Sequence, residues 1–391
     1  PNSNVNSNLD SWDHIDLSLD QVLLKLTQLK TNKCAGPDGL PPALFKKCAQ
    51  ALAYPLHLIF SVSLAHGVFP KKWKQAYVTP ILKSGSKNLV NNYRPISKIS
   101  IVSKLLDSLV ADELFDHFSS HISENQHGFY RKRSTVTNLI GYTERVQKCL
   151  RSGGQMDVIF TDFSKAFDKV SHNILLSKLR DQGICGTLLI WFESYLKGRT
   201  LRVQIGDALS IEVDVTSSVV QGSHCGPILF SLFINDISDI LDVEFNSYAD
   251  DVKIFCEINS TNDCDKLQRC LERLSKFAFD NHLSLNVNKC YVVSFTKRLK
   301  RFICKDYRID DLVLGRQNEI KDLGVTFDGT CSFNSHICRR SKRSIGFVLR
   351  NAKDFRNTKT VVTLYSSLVK SLLEYARPIW FPSSKVRIKQ I

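Results

Sequence analysis

The stretch FNSYADDVKIF, from Phe245 to Phe255, decides the fold prediction for this chain. Apolar and polar residues alternate before the pair Asp250–Asp251, and a second apolar run follows it. This pattern predicts two strands joined by a tight turn that carries both carboxylates at one end of a hairpin. A solvated turn is the simplest interpretation, because aspartate is common in turns. Alternatively, two adjacent carboxylates suit a hard cation such as Mg²⁺, since their repulsion is costly without a counter-charge.

Composition limits the class of protein. With 391 residues, 43% of them hydrophobic, the chain can form a large core in two or three subdomains, and wholesale disorder is excluded. A net charge of +15 favours a polyanionic partner such as nucleic acid, with a membrane surface as the weaker alternative. The last 53 residues, from Arg339, hold 13 Lys or Arg against two acidic residues, a net charge of +11.

The 12 cysteines include no C-x-x-C pair, which favours reduced intracellular thiols over a disulfide framework. Cys331, His336 and Cys338 lie close together, but no fourth ligand completes a zinc-type spacing. The uncharged run from Cys48 to Pro70 contains polar residues and predicts a buried helix, not a membrane span. Because the sequence starts at Pro1, we expect a segment of a longer polyprotein or a trimmed chain.

Apolar spacing predicts a mixed α+β chain. Residues 1–13 are expected to be a linker, and breaker-rich segments predict loops or turns over 33–39, 91–97 and 126–134. Helices are predicted over 16–29, 42–68, 101–118, 135–150, 169–180, 188–196, 227–241, 263–281, 335–350 and 358–375. Strands are predicted over 73–82, 157–163, 201–219 (a hairpin), 283–295 and, as short pieces, 307–327.

A third carboxylate, Asp162, ends the predicted strand 157–163, which lies well before the acidic hairpin in the chain. A central antiparallel sheet would place that strand beside the hairpin and bring Asp162 to Asp250 and Asp251. Three converging carboxylates would destabilise one another unless a cation neutralised them. Two Mg²⁺ ions roughly 3.5–4 Å apart would do so and would form a clamp for phosphoryl transfer.

Four ordered motifs carry a family resemblance: TDFSKAFD (161–168), QGSHCGPILFSLFIND (221–236), YADD (248–251) and LSLNVNKC (283–290). In order and spacing they resemble the palm motifs of reverse transcriptases. The upstream segments KCAGPDG (33–39), NNYRPIS (91–97) and HGFYRKRST (127–135) resemble N-terminal blocks of non-LTR retrotransposon (LINE-type) enzymes, in particular those of jockey-like insect elements. SLVKSLLEYARPIW (367–380) resembles the thumb of the same group.

The resemblance implies an α+β right-hand polymerase with fingers, a palm built on a central antiparallel sheet, and a helical thumb. The implied domains are a linker and N-terminal helix (1–30), fingers with an N-terminal extension (31–155), a palm with the catalytic motifs (156–330) and a basic thumb (331–391). The implied cofactor is a pair of Mg²⁺ ions, with Mn²⁺ as a possible substitute.

The resemblance also implies roles for individual residues. Asp162, Asp250 and Asp251 would bind the catalytic metals. Lys289 would be a general acid toward pyrophosphate, although an exposed lysine with no such role fits equally well. Asp168 is expected to be structural.

Nucleotide binding is implied for Phe163, Phe167, Gln221, Gly222, Arg94 and Lys104. Phe167 matches the steric gate that would exclude a 2′-OH, and the alternative is an ordinary core phenylalanine. Gln221 and Gly222 match the block beside the nascent base pair, and the alternative is a helix-start turn. For Arg94 and Lys104, which match basic positions that could hold the triphosphate, the alternative is solvated surface charge.

Nucleic-acid contacts are implied for two basic clusters and one turn. Arg131, Lys132 and Arg133 would touch the template backbone, and Leu323–Gly324 resembles the primer grip. The basic thumb would neutralise phosphates of the duplex through Arg339, Arg340, Lys342 and Arg343. The alternative for this last cluster is a solvated helix face.

The function implied is RNA-directed DNA polymerase, which extends a DNA primer 3′-OH along an RNA template with dNTPs. A domesticated or decayed copy that only binds RNA, and an intron maturase, are the alternatives. An endonuclease is expected outside this segment, no membrane partner is expected, and the expected location is intracellular. Synthesis at target DNA implies the nucleus, and a ribonucleoprotein implies the cytoplasm.

Overall fold

The structure, a computed structural model, describes residues 11–297, 301–352, 355 and 357–381, without the side chains of 340–344. The helices are α1 (Leu19–Thr27), α2 (Pro42–Lys47), α3 (Ala49–Ala65), α4 (Ile101–Phe118), α5 (Thr135–Ser152), α6 (His172–Asp181), α7 (Gly186–Leu196), α8 (Cys225–Ile234), α9 (Ile237–Ile240), α10 (Thr261–Asp280), α11 (Asn334–Asn351), α12 (Thr358–Tyr365), α13 (Ser371–Glu374) and α14 (Arg377–Trp380). The strands are β1 (Gln75–Leu82), β2 (Tyr93–Lys98), β3 (Gln155–Asp162), β4 (Arg199–Ile205), β5 (Ala208–Leu209), β6 (Val213–Val215), β7 (Glu244–Tyr248), β8 (Asp251–Glu257), β9 (Tyr291–Thr296), β10 (Arg308–Ile309), β11 (Leu312–Val313), β12 (Gly315–Arg316), β13 (Glu319–Asp322) and β14 (Val325–Asp328).

The chain divides into two compact units, and the expected mixture of helix and sheet is confirmed. The first unit takes the described residues of Pro1–Ser123 together with Lys165–Asp236 and Ala278–Leu283. The second takes Glu124–Ser164, Ile237–Phe277 and the described residues of Ser284–Ile391. This division follows compactness, so the functional domains named above stay predictions.

A small sheet organises the first unit, in the order β2-β1-β4-β5, with β6 also paired to β4. The predicted turn over 91–97 is wrong, because residues 93–98 form β2, which pairs antiparallel with β1 and places Pro95 opposite Pro80. A proline suggests a break, but in an edge strand such as β2 its missing N–H removes no inner ladder bond. The predicted helix over 101–118 is confirmed as α4.

The central sheet of the second unit has the order β12-β9-β3-β8-β7. Its pairs are antiparallel except β12–β9. In the β7–β8 hairpin, Tyr248 pairs with Asp251, which leaves Ala249 and Asp250 as a two-residue turn. The predicted strand–turn–strand over 245–255 is therefore confirmed, and β3 lies beside β8 as expected.

Apolar side chains on one face of this sheet form the core of the second unit. Tyr142 of α5, with no exposed surface, meets the rings of Phe160, Phe255, Phe295 and Phe327 edge-on at centroid distances of 5.5–6.2 Å. The same cluster includes Trp380 of α14. The segment that contains α14 therefore packs into the core beneath the sheet, and the burial of Trp380 holds this short helix in place.

Three long helical predictions are broken in the structure. Residues 42–68 form α2 and α3, separated at Cys48. Residues 227–241 form α8 and α9, and the tail segment 358–375 forms α12, a π-helical turn and α13. Apolar periodicity continues across such breaks, because it reports the buried face and not the backbone hydrogen bonds.

Two expectations about other chemistry can be compared with the described residues. No described helix combines the length and hydrophobicity that a membrane span requires. All 12 cysteines are described and none forms a disulfide. His336 accepts a hydrogen bond from the Thr326 N–H at 3.1 Å through Nδ1, and no metal-holding group forms with Cys331 or Cys338 in the described part of the chain.

Candidate active site

The acidic hairpin presents its two carboxylates at the end of the central sheet. Asp250 is half-buried in the turn, and Asp251 is exposed as the first residue of β8. Ala249, which precedes them, has φ 56 and is buried. A positive φ is costly for a residue with a Cβ, so this turn persists only where its surroundings hold it.

Asp162 completes the acidic group in the second unit. It ends β3, and the antiparallel register places it opposite Asp251 of β8. Its side chain is 24% exposed. Acids separated by almost 90 residues in the sequence therefore become cross-strand neighbours, as the sequence analysis expected. A position far from the hairpin would have refuted the metal assignment.

The electrostatics of this group follow from like charges in a small space. Burial by the surrounding protein and the charges of Asp250, Asp322 and Asp162 raise the pKa of Asp251 to about 6, while Lys253 acts in the opposite direction. Asp251 nevertheless reaches solvent at the strand end, so water and salt screen part of this repulsion. A bound cation would relieve the remaining repulsion.

Lys289 lies beside the acids. Its Nζ is 3.2 Å from Asp162 Oδ2, and its side chain is 54% exposed. The backbone fixes this approach, because the Asn286 N–H donates to the Asp162 carbonyl at 2.8 Å and a short 3₁₀ helix, Val287–Lys289, follows. Lys289 therefore lies beside Asp162, and its predicted role as a general acid stays a prediction.

A cavity of about 410 Å³ opens at this end of the sheet. Asp162, Asp251 and Lys289 line it together with Lys253, Asp322 and Leu323. All of these residues lie in the second unit. The cavity combines carboxylates and lysines, and such a lining suits a phosphate-bearing ligand with its cation better than an apolar ligand.

The acids fit a magnesium site that the ligand itself completes. Within the described residues, no three His, Cys, Asp or Glu side chains form a ready-made metal cage. Mg²⁺ is commonly held by one or two carboxylates plus substrate phosphates and water, so a full protein cage is not required. Asp162 facing Asp251, with Asp250 adjacent, supplies hard oxygen donors of the right kind.

Comparison with known proteins identifies the family. The model of the family described as reverse transcriptase (RNA-dependent DNA polymerase) matches residues 81–327, which include the acids, Lys289 and Leu323–Gly324. The chain belongs to the reverse transcriptase family. Its three acids therefore lie in the family's matched region, on the hairpin and strand that the motifs indicated.

The similar proteins come from mobile elements. A probable RNA-directed DNA polymerase from transposon BS of Drosophila melanogaster is 26% identical over 396 residues, covering 96% of this chain and 43% of the relative. An RNA-directed DNA polymerase from mobile element jockey of Drosophila funebris is 28% identical and covers 96% and 42%, respectively. The X-element protein of Drosophila melanogaster is 27% identical and covers 95% and 42%. The predicted resemblance to jockey-like non-LTR elements is confirmed, and the chain spans about two fifths of these relatives.

The reverse transcriptase motifs of the first unit contact one another. Gln221 donates to Asp168 Oδ1 through Nε2 at 2.7 Å, and its carbonyl accepts from the Ser97 N–H at 3.0 Å. Gly222 has φ 112, and a Cβ there would lie 2.9 Å from the Ser97 carbonyl oxygen. Glycine is therefore required by the backbone approach of the NNYRPIS segment, while nucleotide binding by this pair stays a prediction.

Aromatic packing fixes Phe167 in the first unit. Phe167 lies in the 3₁₀ helix Ala166–Lys169. Its ring stacks on the ring of Phe230 of α8, with 4.3 Å between the ring centroids. The ring is half-buried, so it is partly core and partly accessible, which fits both interpretations given above. Phe163, in the second unit, is only 2% exposed and could approach a nucleotide only through its backbone.

The remaining predicted positions are placed but not tested. Arg94 is exposed on the edge strand β2, and Lys104 is half-buried on α4. Arg131 and Lys132 are exposed, whereas Arg133 donates to the Gln126 carbonyl at 2.6 Å and lies over the Tyr130 ring. The binding roles predicted for all five residues stay predictions.

The predicted primer grip and thumb lie in the second unit. Leu323 and Gly324 form the β13–β14 turn with φ values of 42 and 87, and the Leu323 carbonyl accepts from the Tyr375 hydroxyl at 2.6 Å. Arg339 is exposed and lies 3.2 Å from Glu319. The side chains of Arg340, Lys342 and Arg343 lie outside the described residues, although their backbone belongs to α11.

Sequence reasoning missed several residues that shape the site: Gln126, Lys253, Asp322 and Tyr375. It also gave no partner for Asp168, which accepts a hydrogen bond from Gln221 in the first unit. Each acts through hydrogen bonds or an ion pair with a distant segment, and such contacts leave no periodic pattern. The only available signal was polarity at a position whose neighbours are buried. Lys253, in the middle of the apolar run VKIF, was the clearest case.

The pKa of Asp251 leads to a pH prediction for the metal-free protein. We expect its carboxyl to titrate near pH 6, and Asp162→Asn to lower this pKa because one neighbouring negative charge is lost. The raised pKa contributes stability that is fully present below the unfolded-state value and is lost as pH rises through about 6. NMR of ¹³C-labelled aspartate carboxyls, recorded in a chelator, would measure both pKa values. A midpoint near 4 in both proteins would contradict the expectation.

Proposed function

We propose that this chain is the polymerase part of a longer retrotransposon protein and that it extends a DNA primer along an RNA template with dNTPs. One observation carries the proposal: in a chain of the reverse transcriptase family, Asp162 pairs across the sheet with Asp251, next to Asp250. The same three positions were selected from the sequence for metal binding. A solvated turn would have no need of a third acid on the neighbouring strand.

In this proposal the right-hand architecture assigns fingers to residues 31–155, the palm to 156–330 and the thumb to 331–391. The antiparallel sheet that carries the acids would form the floor of the palm. Leu323–Gly324, fixed by Tyr375, would contact the primer, and the basic clusters at 131–133 and 339–343 would contact phosphates. Arg94, Lys104, Gln221 and Gly222 would bind the incoming nucleotide.

Asp162, Asp250 and Asp251 would hold the two Mg²⁺ ions, with Mn²⁺ as a substitute. When bound, such ions supply charge neutralisation and make the primer hydroxyl more acidic. The chain's own contribution is to hold Asp162 opposite Asp251, with Asp250 adjacent in the turn, at the end of the central sheet. Lys289, whose Nζ is already 3.2 Å from Asp162, would give a proton to the departing pyrophosphate.

The partners and location are proposed on the same basis. RNA template, DNA primer or nicked target, and dNTPs would be the substrates, and an endonuclease would belong to the rest of the longer protein. Target-primed synthesis would take place in the nucleus, and the RNA-bound protein would form a ribonucleoprotein in the cytoplasm. A net charge of +15 is consistent with polyanionic partners.

A primer-extension assay tests the proposed function directly. The purified chain would receive poly(A) annealed to oligo(dT), dTTP and Mg²⁺, with a chelator and a template-free primer as controls. We expect primer extension that requires both template and metal. Binding of the annealed substrate without extension, in either Mg²⁺ or Mn²⁺, would instead support the RNA-binding alternative.

Sugar selection is predicted to depend on Phe167. Replacing its ring with a methyl group in Phe167→Ala should remove the obstacle to a 2′-OH, and we expect discrimination against ribonucleotides to fall by on the order of tenfold or more. The kcat/KM ratio for dTTP over UTP would measure this discrimination. Phe233→Ala, which removes a buried ring of α8 in the same unit, controls for lost packing. Equal discrimination in Phe167→Ala and the unmodified chain would show that Phe167 is not the gate.

A further inference from the structure

The buried side chain of Gln126 grips the turn that carries the catalytic acids. Gln126, 4% exposed, accepts from the Ala249 N–H through Oε1 at 2.9 Å. Its Nε2 donates back to the Ala249 carbonyl at 3.3 Å. One side-chain amide therefore satisfies both backbone groups of the residue immediately before Asp250. Nothing in the assigned motif roles accounts for this contact.

Ala249, the residue that Gln126 binds, has a strained backbone conformation. Ala249 has φ 56, a region in which a residue with a Cβ is disfavoured by roughly 1–2 kcal/mol. Such a conformation is retained when surrounding contacts over-determine it. Gln126 supplies two of those contacts, because its amide matches the donor and acceptor of the Ala249 backbone in their observed orientation.

The other residues of the 125–128 segment also pack against the hairpin. The Ser247 N–H donates to Asn125, and the His127 N–H donates to Ser247, both at 2.9 Å, which extends the sheet beyond its edge strand β7. Gly128 lies so close that an added Cβ would overlap the Ala249 backbone nitrogen. This segment therefore both bonds to the turn and fills the space against it.

Further hydrogen bonds hold the 125–128 segment in place. Gln126 Oε1 also accepts from the Gly128 N–H at 2.8 Å, and the Gln126 carbonyl accepts from Arg133 at 2.6 Å. Asn138 of α5 donates to the Ser247 carbonyl at 3.0 Å, so a helix of the core supports the same strand. The amide of Gln126 is thus held in one orientation, which a positioning role requires.

We propose that Gln126 is a positioning residue for polymerisation, which holds the Ala249 peptide so that Asp250 and Asp251 face Asp162. The proposal rests on the proposed function and adds a residue outside the acids themselves. Gln126 touches neither substrate nor metal in this account. Its effect comes through the backbone of the turn, where a displacement of about 1 Å can cost on the order of 100-fold in rate.

The first test is Gln126→Ala in the primer-extension assay. We expect kcat to fall by about 10- to 100-fold while KM for the annealed primer–template changes less than about threefold, because the acids move and the duplex contacts remain. Gln268→Ala is the matched control. Gln268 makes the same two-bond grip on the Arg308 backbone, at 2.9 and 3.0 Å, on a strand without site residues, and its loss should leave kcat unchanged.

The second test is rescue. If Gln126 acts by holding Ala249 at positive φ, Ala249→Gly should restore part of the lost kcat in the Gln126→Ala background, since glycine adopts that conformation without a Cβ penalty. Gly128→Ala should independently lower kcat by pushing on the same turn. Thermal unfolding of every variant would separate these effects from loss of fold.

These experiments distinguish failure of the proposed function from failure of the positioning role of Gln126. An unmodified chain that never extends a primer refutes the proposed function. An active chain with equal kcat in Gln126→Ala overturns the positioning role alone. Equal losses in Gln126→Ala and Gln268→Ala, or a Gln126→Ala loss that Ala249→Gly leaves untouched, would also overturn it, because each points to general destabilisation.

Discussion

Asp250→Asn is expected to lower dNTP incorporation on poly(A)/oligo(dT) by about 10³-fold or more, while binding of the annealed duplex stays within about twofold. Asparagine keeps the size of the side chain but removes the negative charge that would hold the cations. Duplex binding should persist because it depends on basic side chains elsewhere in the chain. Single-turnover primer extension and fluorescence anisotropy of a labelled duplex would measure the two quantities separately.

The chain provides a matched control for this substitution. Asp310 and Asp311 form another adjacent acid pair in a two-residue turn, between β10 and β11, and both are exposed. Asp310 also has a positive φ of 51, as Ala249 does at the first position of its own turn. Asp311→Asn should therefore leave incorporation unchanged. Undiminished incorporation in Asp250→Asn, or an equal loss in Asp311→Asn, would refute the metal assignment.

This pair of variants also addresses the binding-only alternative. A decayed reverse transcriptase would bind duplex and respond to neither substitution, because no chemistry would remain to be lost. The retained acids argue against decay, since Asp162 and Asp251 still face each other across the sheet. Mutual repulsion of neighbouring carboxylates lowers stability, and a scaffold that binds no cation would be stabilised by losing one of them.

The acidic hairpin and its partner strand were predictable because their signals are local. Period-two alternation predicted the β7–β8 hairpin, and one apolar run predicted β3 with Asp162 at its end. Predicting that Asp162 lies beside the hairpin required only one assumption, that β3 and the hairpin belong to one antiparallel sheet. In such a sheet the residues at adjacent strand ends become neighbours. The helix α4 was also predicted with its observed bounds, Ile101–Phe118.

The failures share a physical cause. Pro95 suggested a turn, but at a sheet edge a missing N–H costs nothing, so strand pairing with β1 prevailed. Gln126 was passed over, and Asp168 was expected only to be structural, because a buried amide and a half-buried carboxylate look like ordinary polar residues in sequence. Their importance comes from partners 123 and 53 positions away, respectively, and only the folded chain reveals such pairs.

Partly buried Tyr375 and buried Trp380 give the tail a structural role in addition to its charge. Net charge alone suggested a helical arm whose surface serves nucleic acid. The structure shows that the same tail fixes the Leu323–Gly324 turn through Tyr375 and fills the core with Trp380. Truncation before α14 would therefore disturb the core beneath the central sheet as well as any duplex contact, so such a deletion would not isolate nucleic-acid binding by the tail.

The largest stability effect is expected at Lys253 and Asp322, a buried ion pair beneath the acids. Their side chains are 5% and 9% exposed, and the Lys253 ammonium also lies 4.6 Å from the centre of the Tyr142 ring. The pair joins β8, which begins with Asp251, to β13, which ends at the Leu323–Gly324 turn. Asp322→Asn would leave Lys253 charged and buried without its anion, and we expect the free energy of unfolding to fall by about 3–5 kcal/mol.

The double variant Lys253→Met/Asp322→Leu distinguishes the destabilisation caused by removing one ion from the net contribution of the ion pair to stability. Removing both charges should change stability by no more than about 1 kcal/mol or even increase it, because neither ion then pays for desolvation. Glu193→Gln breaks the exposed Lys197–Glu193 pair, at 2.7 Å, and should cost less than about 0.5 kcal/mol. Urea unfolding would give these values, and equal stability of Asp322→Asn and Glu193→Gln would contradict the expectation. If the double variant folds but its KM for primer–template rises, the ion pair is retained for the placement of the Leu323–Gly324 turn and not for stability. Such a role would explain why two charges remain buried beside a group of negative charges.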